Sequence, residues 1–512
     1  MKEHTSEFWS KLNEEQEKII YSNDKHILVS AGPGSGKTHT LVRKISKDLE
    51  GLDNYHGVIA CSFTKEASNQ LLKKISQSCD VKKSFIGTID AFVLSDIINP
   101  YKNRLLKHLK LKGHIDKLEI IMPPMKSRSS FLTMIGHDPE YIDDITEYTN
   151  KWICDFANSK YEISFPSYII ATKMIAEMKI VKDYIVNRYS WVYIDEAQDL
   201  NDFQIDFIKC LVKECNISMV LIGDKNQSIY EFRGARPEKF YSFLTEGFTE
   251  YRITHSVRCD KSILDFANKY IDSSYAIKDK NSEICVKLSK WPPIDFFLTS
   301  KYSFMVLFED NDAALKCYNF LVDNKVNVIL AKPIFINDAD FCKNYFNILE
   351  ESLYFYYNYD NGKFTYSIDN FKLFISEYIP QKAIKKIRNI DLFNDGIDFF
   401  KFIIGLNGEI IDESIIKILR GQLDDETVMN YYKRSECKNR VMTIHGSKGL
   451  EADKVIVNLR NLPDDYGSNK EYKRKLYVAF TRAKDELLIR LVGKCENSVL
   501  QEELENLIIN DL

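Results

Sequence analysis

Residues 26–40 read HILVSAGPGSGKTHT, a short apolar run followed by a glycine-rich loop and then by a lysine and a threonine. An apolar run of this length that stops at a glycine turn indicates a buried strand. The backbone N–H groups of such a loop, together with the N-terminus of the helix that follows it, bind phosphate oxygens. The stretch therefore predicts a strand, a phosphate-binding loop and a helix, which open an α/β domain.

The loop fits the spacing [AG]xxxxGK[ST], because Ala31 stands where the strict pattern has glycine. Lys37 is predicted to reach the β and γ phosphates of ATP, and the Thr38 hydroxyl to bind Mg²⁺. The alternative is a glycine turn with an incidental lysine, but the strand before the loop and the helix after it favour a nucleotide site. The residues expected to bind ATP here are Ala31, Gly32, Pro33, Gly34, Ser35, Gly36, Lys37 and Thr38.

A second acidic element supports this interpretation. Residues 191–200 read WVYIDEAQDL, an apolar run that ends in Asp195 and Glu196. A carboxylate at the end of a buried strand is suited to hold Mg²⁺, and a second one beside it can polarise the attacking water. A solvated start of a helix is the alternative, since acidic residues favour a first helical turn. ATP chemistry alone leaves Gln198 and Asp199 unexplained.

The composition is that of a folded protein. Of the 512 residues, 45% are hydrophobic and 28% are charged, and roughly one domain per 150 residues predicts about three or four domains. The net charge of -4 neither indicates nor excludes a nucleic-acid partner, because a basic groove can exist within an acidic total. The eleven cysteines are scattered, which indicates reduced core thiols and neither a disulfide framework nor a metal site.

No targeting or membrane segment is evident. The N-terminal residues MKEHTSEFWSKLNEEQ lack an apolar region, and no later window approaches the roughly 18 apolar residues that a membrane span needs. We therefore expect a cytoplasmic protein.

Apolar runs alternate with helical patterns in two series. The first contains HILVS (26–30), VIACSF (58–63), SFIGTI (84–89), WVYIDE (191–196) and MVLIGD (219–224). The second contains FMVLF (304–308), VNVIL (326–330), VMTIHG (441–446), KVIVNL (454–459) and ELLIRLV (486–492). Such alternation is typical of parallel α/β sheets, so two sheets are predicted. Each series is interrupted by a long, mainly helical stretch that reads as an insertion.

Nine motifs occur in an order that resembles the UvrD/Rep/PcrA type of superfamily 1 helicase. They are LNEEQEKII, AGPGSGKT, CSFTKEASNQL, GTIDAFV, YIDEAQDL, LIGDKNQSIYEFRGA, ITHSVRC, VMTIHGSKGLE and EYKRKLYVAFTRAK. The resemblance spans residues 12–484 and leaves the insertions unmatched. It implies an α/β fold with two RecA-like P-loop domains, called 1A and 2A, ATP and Mg²⁺ as cofactors, and single-stranded DNA and single-strand/duplex junctions as partners.

The domain boundaries that follow combine this resemblance with the two series. We expect 1–94 as the first part of 1A, 95–185 as insertion 1B, 186–248 as the second part of 1A, 249–338 as the first part of 2A, 339–436 as a short insertion in the place of 2B, and 437–512 as the second part of 2A.

The resemblance also assigns residues outside the phosphate loop. Gln16 would contact the adenine edge, Gln227 would sense the γ-phosphate, and Glu451 would lie near the ribose. Arg258 and Arg482 would be arginine fingers brought by domain 2A. With Lys37, Asp195 and Glu196 they complete the expected catalytic set. The DNA-binding residues implied are Phe63, Thr64, Tyr230, Phe232, Arg233, His445, Ser447 and Lys448, since aromatic stacking on bases tolerates any sequence.

Structural alternatives remain for these residues, and Arg258 would be an ordinary surface arginine if ITHSVRC stood alone. Phe63 and Phe232 would be ordinary core aromatics if they stood alone, and Arg482 lies in a helical pattern where a charged face is the default. We expect Gln198 and Asp199 to form a link toward Gln227 and the arginine-bearing domain, so that hydrolysis affects the bound DNA.

The sequence departs from the family pattern at several points. Val257 stands where relatives usually carry an aromatic residue that stacks on adenine, and Ala452 replaces an aromatic residue after SKGLE. The second insertion is shorter than the usual 2B domain, and we expect no fused C-terminal nuclease. The leading hypothesis is a 3′–5′ DNA helicase and single-strand translocase. The alternative is a DNA-sensing regulatory ATPase with a separate nuclease subunit, in phage defence or repair, and an RNA substrate is a weaker third.

Overall fold

The structure is a computed structural model that describes residues 12–63, 65–110, 166–231, 234–271, 276–277, 285–299, 301–330, 345–358, 393–406, 408–423, 438–466, 468–496 and 498–510. The described residues fall into two compact units. The first is drawn from Met1–Arg258, Tyr270–Asp279 and Lys470–Tyr477, and the second from Cys259–Lys269, Lys280–Asn469 and Val478–Leu512.

The first unit is built on a six-stranded parallel sheet. Its strands are β1 (His26–Ala31), β2 (Gly57–Ser62), β3 (Phe85–Thr88), β4 (Tyr189–Ile194), β5 (Ser218–Gly223) and β6 (Thr249–Ile253). They lie in the order β3-β2-β4-β5-β1-β6. A short parallel pair, β7 (His255–Ser256) and β8 (Ala276–Ile277), lies outside this sheet.

Helices connect the strands of the first unit, because parallel strands need a crossover connection. They are α1 (Glu14–Ile20), α2 (Lys37–Glu50), α3 (Lys65–Ser78), α4 (Ile89–Phe92), α5 (Asn99–His108), α6 (Pro166–Glu177), α7 (Lys179–Arg188) and α8 (Asp202–Cys210). A π-helical segment, Val93–Ile98, joins α4 to α5, and a 3₁₀ segment, Pro237–Glu246, precedes β6.

The core of the first unit lies on both faces of the sheet. Along β1, Leu28 packs into one apolar cluster, whereas Ile27 and Val29 pack into the cluster on the other face. Successive side chains of a strand point to opposite faces, so a strand covered by helices on both sides reads as a continuous apolar run. This is why HILVS contains no alternation of polar and apolar residues.

The second unit also contains a six-stranded parallel sheet. Its strands are β9 (Val286–Leu288), β10 (Phe304–Phe308), β11 (Ile329–Leu330), β12 (Arg440–Thr443), β13 (Ala452–Leu459) and β14 (Ala483–Leu491). They lie in the order β11-β12-β10-β13-β14-β9. The remaining helices of the described chain are α9 (Lys261–Asn268), α10 (Ile294–Thr299), α11 (Asn311–Asp323), α12 (Phe346–Asn358), α13 (Gly396–Gly405), α14 (Glu413–Leu423), α15 (Lys470–Phe480) and α16 (Val499–Asn510).

The prediction of two parallel α/β sheets is confirmed. Within the second expected insertion, α12, α13 and α14 share an apolar cluster of their own around Leu353, Phe400 and Leu419. Most of the first expected insertion, residues 111–165, lies outside the described residues. Among the described residues no helix is long and apolar enough to cross a membrane.

Two boundaries differ from those expected. Strand β6 was assigned to the second α/β domain, but it pairs in parallel with β1 from Ile27 opposite Thr249 to Ala31 opposite Ile253. The first unit therefore extends to Arg258. Lys470–Tyr477, expected in the second domain, also belongs to the first unit. Both differences arise because a local pattern specifies a strand or helix and leaves its partner open.

Candidate ATP site and DNA face

The loop after β1 has the conformation that phosphate binding needs. Gly34 and Gly36 adopt φ angles of 66° and 83°, a left-handed region that glycine enters without a steric penalty. The Ser35 hydroxyl donates a hydrogen bond to the Gly32 carbonyl at 2.7 Å, which closes the turn. Helix α2 begins at Lys37 directly after this turn. A glycine turn that leads directly into a helix N-terminus is the arrangement that binds phosphate in nucleotide sites.

Arg258 lies against this loop in the first unit. A Cβ atom on Gly34 would stand 2.2 Å from the Cβ of Arg258 and 2.8 Å from the Ser256 hydroxyl. The backbone N–H of Val257 donates to the Gly34 carbonyl at 3.0 Å. The segment that follows β6 thus approaches the loop so closely that only glycine fits at position 34. Arg258 was expected on the second domain, and the structure instead places it beside the phosphate loop.

Lys37 is surrounded by carboxylates at the mouth of the loop. Its Nζ donates to the Ala31 carbonyl at 3.3 Å. Burial lowers the pKa of the Lys37 ammonium, and the carboxylates of Glu196, Asp224 and Asp195 act against that shift. A partly desolvated cation interacts strongly with anions, which is the environment that a phosphate-binding lysine requires.

Thr38 and Asp195 lie in contact at the end of β4. The Thr38 hydroxyl donates to Asp195 Oδ2 at 3.2 Å. Burial and the neighbouring Glu196 raise the pKa of Asp195 to about 6. A hydroxyl and a carboxylate side by side at a phosphate-binding turn are oxygen ligands of the kind that Mg²⁺ takes together with nucleotide phosphates. These residues therefore fit the ion that the sequence implies.

Glu196 is held in an unusual backbone conformation. Its φ angle is 55°, a left-handed region that costs a residue with a Cβ on the order of 1–3 kcal/mol. Its carboxylate accepts a hydrogen bond from Gln198 Nε2 at 2.5 Å. Strain of this kind concentrates at functional sites, where surrounding contacts fix one orientation of a side chain.

Gln198 connects two acidic residues. Its side-chain carbonyl accepts a hydrogen bond from the Asp224 N–H at 3.0 Å, just after β5. Asp224 Oδ2 in turn accepts from Gln227 Nε2 at 2.8 Å, and its other oxygen accepts from the Asn226 N–H. A continuous chain of hydrogen bonds therefore runs from Glu196 through Gln198 and Asp224 to Gln227, the residue expected to sense the γ-phosphate.

Gly223 allows this chain to form. A Cβ atom at position 223 would stand 2.3 Å from Gln198 Oε1. Asp224 itself was not among the expected site residues. The signal was present, because GDKNQS places an acidic residue after a buried strand, as YIDE does with Asp195.

Gln16 is hydrogen-bonded at the start of helix α1 and to the phosphate loop, and its contact with adenine stays a prediction. It is the fourth residue of a capping box, in which its Oε1 accepts from the Asn13 N–H at 3.1 Å. Its Nε2 donates to the carbonyl of Ser35, in the phosphate loop, at 3.1 Å. Gln16 therefore holds helix α1 against that loop. Val257, which stands in the place of the stacking aromatic residue, is 74% exposed.

Two of the expected DNA-binding aromatics lie together. The rings of Phe63 and Tyr230 are stacked, with centroids 5.2 Å apart and an interplanar angle of 21°. Phe63 follows β2 and is half-buried, whereas Tyr230 is buried. Thr64, Phe232 and Arg233 lie outside the described residues.

The remaining expected site residues belong to the second unit. The side chain of Arg482 is buried, and its Nε donates to the Val478 carbonyl at 2.9 Å. A second guanidinium nitrogen donates to the Leu450 carbonyl at 3.3 Å. Next to Leu450, Glu451 forms an ion pair with Lys484 at 2.8 Å. The structure thus brings Arg482 and Glu451 to neighbouring positions.

The other three expected DNA-binding residues, His445, Ser447 and Lys448, lie at a turn after β12. Residues His445–Ser447 form a 3₁₀ turn after β12. The Ser447 hydroxyl is buried and donates to the Ile444 carbonyl at 2.7 Å. His445 and Lys448 are both partly exposed.

Comparison with protein families agrees with this geometry. The model of the UvrD/REP helicase N-terminal domain matches residues 12–134 and 97–246. The model of the UvrD-like helicase C-terminal domain matches residues 439–489. Together they cover more than half of the chain. The chain belongs to the UvrD-like helicase family.

Individual relatives extend this family assignment. The chain is 25% identical to Gabija protein GajB of Bacillus cereus, over 96% of this chain and 98% of that protein. It is 23% identical to the ATP-dependent DNA helicase PcrA of Staphylococcus aureus, over 52% of this chain and 41% of PcrA. DNA helicase II of Salmonella typhimurium is 25% identical over 51% of the chain and 40% of its own length. The chain therefore spans less than half of the two larger helicases and nearly all of GajB.

Proposed function

We propose that this UvrD-like chain is an ATP-driven translocase that moves 3′ to 5′ along single-stranded DNA and unwinds duplex. The observation that carries the proposal is the hydrogen-bonded chain from Glu196 through Gln198 and Asp224 to Gln227. It joins the ATP-hydrolysing residues to the loop that bears Tyr230. The 3′ to 5′ direction is taken from the resemblance to the family alone.

Each residue of the ATP site has a chemical task in this proposal. The phosphate loop and Lys37 bind the β and γ phosphates, and Glu196 orients and polarises the attacking water. Thr38 and Asp195 would hold Mg²⁺, which supplies positive charge against the phosphate oxygens. Arg258 beside the loop contributes a guanidinium to the developing negative charge, since preorganised donors stabilise a transition state most effectively.

Arg482 is proposed as the second arginine of the transition state. Its guanidinium is bonded to the carbonyls of Val478 and Leu450. A guanidinium has five N–H donors, so Arg482 can keep these bonds and still donate to a phosphate oxygen. An arginine at the γ-phosphate stabilises the charge of the transition state.

The DNA face is proposed to start at the stacked pair Phe63 and Tyr230. Stacking on aromatic rings stabilises a bound base by about 1–3 kcal/mol and does not depend on its identity. Tyr230 follows Gln227 by three residues, so a change at the γ-phosphate is transmitted over one short loop. DNA binding would in turn bias the position of Gln227, because coupling between two sites is reciprocal.

A strand-displacement assay with three substrates tests this function. We expect the isolated chain to release the labelled strand from a duplex with a 3′ single-stranded overhang and to leave a 5′ overhang and a blunt duplex intact. Glu196→Gln is the matched control, because it should bind ATP and displace nothing. Preference for the 5′ overhang would overturn the proposed direction.

A second candidate function is favoured by the relative named Gabija protein GajB, which aligns over almost the whole of both chains. In this alternative the chain is a DNA-sensing regulatory ATPase that works with a separate nuclease subunit in phage defence or repair. DNA-stimulated hydrolysis without strand displacement by the isolated chain would support it. Stimulation by RNA as strong as by DNA would instead favour an RNA substrate.

A further inference from the structure

The guanidinium of Arg474 binds the loop that follows Gln227 at two points. Its Nε donates to the Ser228 carbonyl at 2.9 Å. Its NH2 group lies 2.6 Å from Glu231 Oε1. The Arg474 side chain is 14% exposed and the Glu231 side chain 30% exposed, so the guanidinium itself is largely buried. All three residues belong to the first unit.

The two bonds flank Tyr230 and begin directly after Gln227, the two residues of this loop that the proposed function uses. Ser228 directly follows Gln227, and Tyr230 directly precedes Glu231. Ile229, between the two anchors, is fully buried. The loop is therefore fixed at its start by Asp224, which accepts from Gln227, and at its end by Arg474. Within these limits Tyr230 keeps its stack on Phe63.

Arg474 is also the counter-charge of two carboxylates. Burial and the neighbouring Glu231 raise the pKa of Glu471, while Arg474 and Lys475 act to lower it. Glu231 and Glu471 thus repel each other unless a cation lies near both. A planar guanidinium can bind a backbone carbonyl and a carboxylate at once, whereas a lysine ammonium is a point charge without that fork.

We propose that Arg474 is a positioning residue that holds the Ser228–Glu231 loop so that the nucleotide state at Gln227 sets the DNA-stacking position of Tyr230. The proposal rests on the proposed function, because it requires that DNA stimulates ATP turnover. Arg474 touches neither ATP nor the attacking water in this account. Its removal therefore weakens the coupling of DNA to hydrolysis and spares hydrolysis itself.

The test is the ATP turnover of the full chain titrated with single-stranded DNA. For Arg474→Gln we expect basal turnover and the KM for ATP within about two-fold of wild type. The DNA concentration for half-maximal stimulation should rise roughly ten-fold, and Arg474→Lys should fall in between because it keeps the charge and loses the fork. Arg420→Gln, which removes an ion pair with Asp398, is the matched control and should match wild type.

A second variant keeps the test decisive if Arg474→Gln folds poorly. Glu231→Gln removes the same ion pair from the other side, and it should shift DNA stimulation in the same direction. The double variant should then be no worse than Arg474→Gln, since residues in one interaction are non-additive. If DNA stimulates the wild-type chain and half-maximal stimulation of Arg474→Gln needs the same DNA concentration, the proposal is overturned. An equal loss of basal and DNA-stimulated turnover together with a lowered Tm would also overturn it. If the wild-type chain itself were not stimulated by DNA, the proposed function would fall first.

Discussion

Gln198 Nε2 donates a hydrogen bond to Glu196 Oε2 across 2.5 Å, while the carbonyl end of the same amide accepts from Asp224. Gln198 is fully buried, so neither bond can be replaced by water without rearrangement. One amide thus links the end of β4 to the end of β5. Gln198, which is expected to form a link toward Gln227, also binds the carboxylate of Glu196, the residue proposed to polarise the attacking water.

Replacement of Gln198 by alanine should therefore lower hydrolysis as well as coupling. Hydrogen bonds to charged groups contribute about 1.5–3 kcal/mol, and a loss near the lower value reduces kcat roughly ten-fold. The KM for ATP should stay within about two-fold, because the phosphate loop is untouched. Steady-state ATP turnover with and without single-stranded DNA measures both effects. A normal basal kcat would show that Glu196 is oriented by other contacts.

Gly223→Ala should disturb the same connection without altering any polar group. The added methyl would stand 2.3 Å from Gln198 Oε1, and buried overpacking costs about 1–3 kcal/mol. We expect a lower Tm together with impaired ATP turnover. Gly421→Ala in α14 is the control, because nothing lies within 4 Å of its added methyl and alanine favours a helix by roughly 1 kcal/mol. A neutral Gly223→Ala would contradict the close approach of Gln198.

The raised pKa of Asp195 predicts a pH-dependent effect on stability. Its folded value of about 6 lies above the ordinary 3.8, so the folded state binds this proton more tightly than the unfolded chain does. Its contribution to stability is therefore lost as pH rises from about 4 to 6. Asp195→Asn should abolish turnover yet raise Tm relative to wild type at pH 7.5, with a smaller difference at pH 4.5. A difference in Tm that is constant with pH would contradict this reasoning.

Removal of the buried ion pair between Lys44 and Asp48 is expected to lower the stability of the protein strongly. Lys44 Nζ lies 3.0 Å from Asp48, donates to the Ser22 carbonyl, and is only 1% exposed. Tyr193 in β4 also donates to Asp48. Asp48→Asn should lower the free energy of unfolding by about 3–5 kcal/mol, because it leaves a buried cation without its counter-charge.

Urea unfolding of Asp48→Asn measures this loss, with the exposed pair of Lys401 and Glu413 as the control. Lys401→Met should change stability by less than about 1 kcal/mol. A change in Asp48→Asn no greater than in Lys401→Met would show that Lys44 is compensated by the face of Trp191, which its Nζ approaches at 4.7 Å.

The sequence predicted the elements whose chemistry is local. The loop that ends at Thr38 and the carboxylates after β4 follow from short patterns, because a strand, a turn and a helix start are specified by neighbouring residues. Phe63 and Tyr230 are stacked on each other, and their role in DNA binding stays a prediction. The two parallel sheets follow from the same periodicity.

Features that depend on distant partners were not predicted. The second domain was expected to begin at residue 249, but the strand at 249–253 pairs with β1, a long-range pairing that a local pattern does not specify. Arg258, which follows β6, therefore belongs to the first unit and not to the second. The hydrogen bonds between the Gln16 amide and the backbone of Asn13 and Ser35 were not predicted either, and the contact of Gln16 with adenine stays a prediction. Such hydrogen bonds join residues through the tertiary fold and leave no periodic trace in the sequence.

ATP turnover by Lys37→Ala at saturating single-stranded DNA tests the central claim most directly. Lys37 supplies the cation that the carboxylates of Asp195, Glu196 and Asp224 surround, and loss of one preorganised group at a transition state costs about 10²- to 10³-fold in kcat. We therefore predict that DNA-stimulated turnover falls at least 100-fold and that strand displacement disappears with it. Wild-type turnover in this variant would contradict the assignment of the site and the motor mechanism built on it.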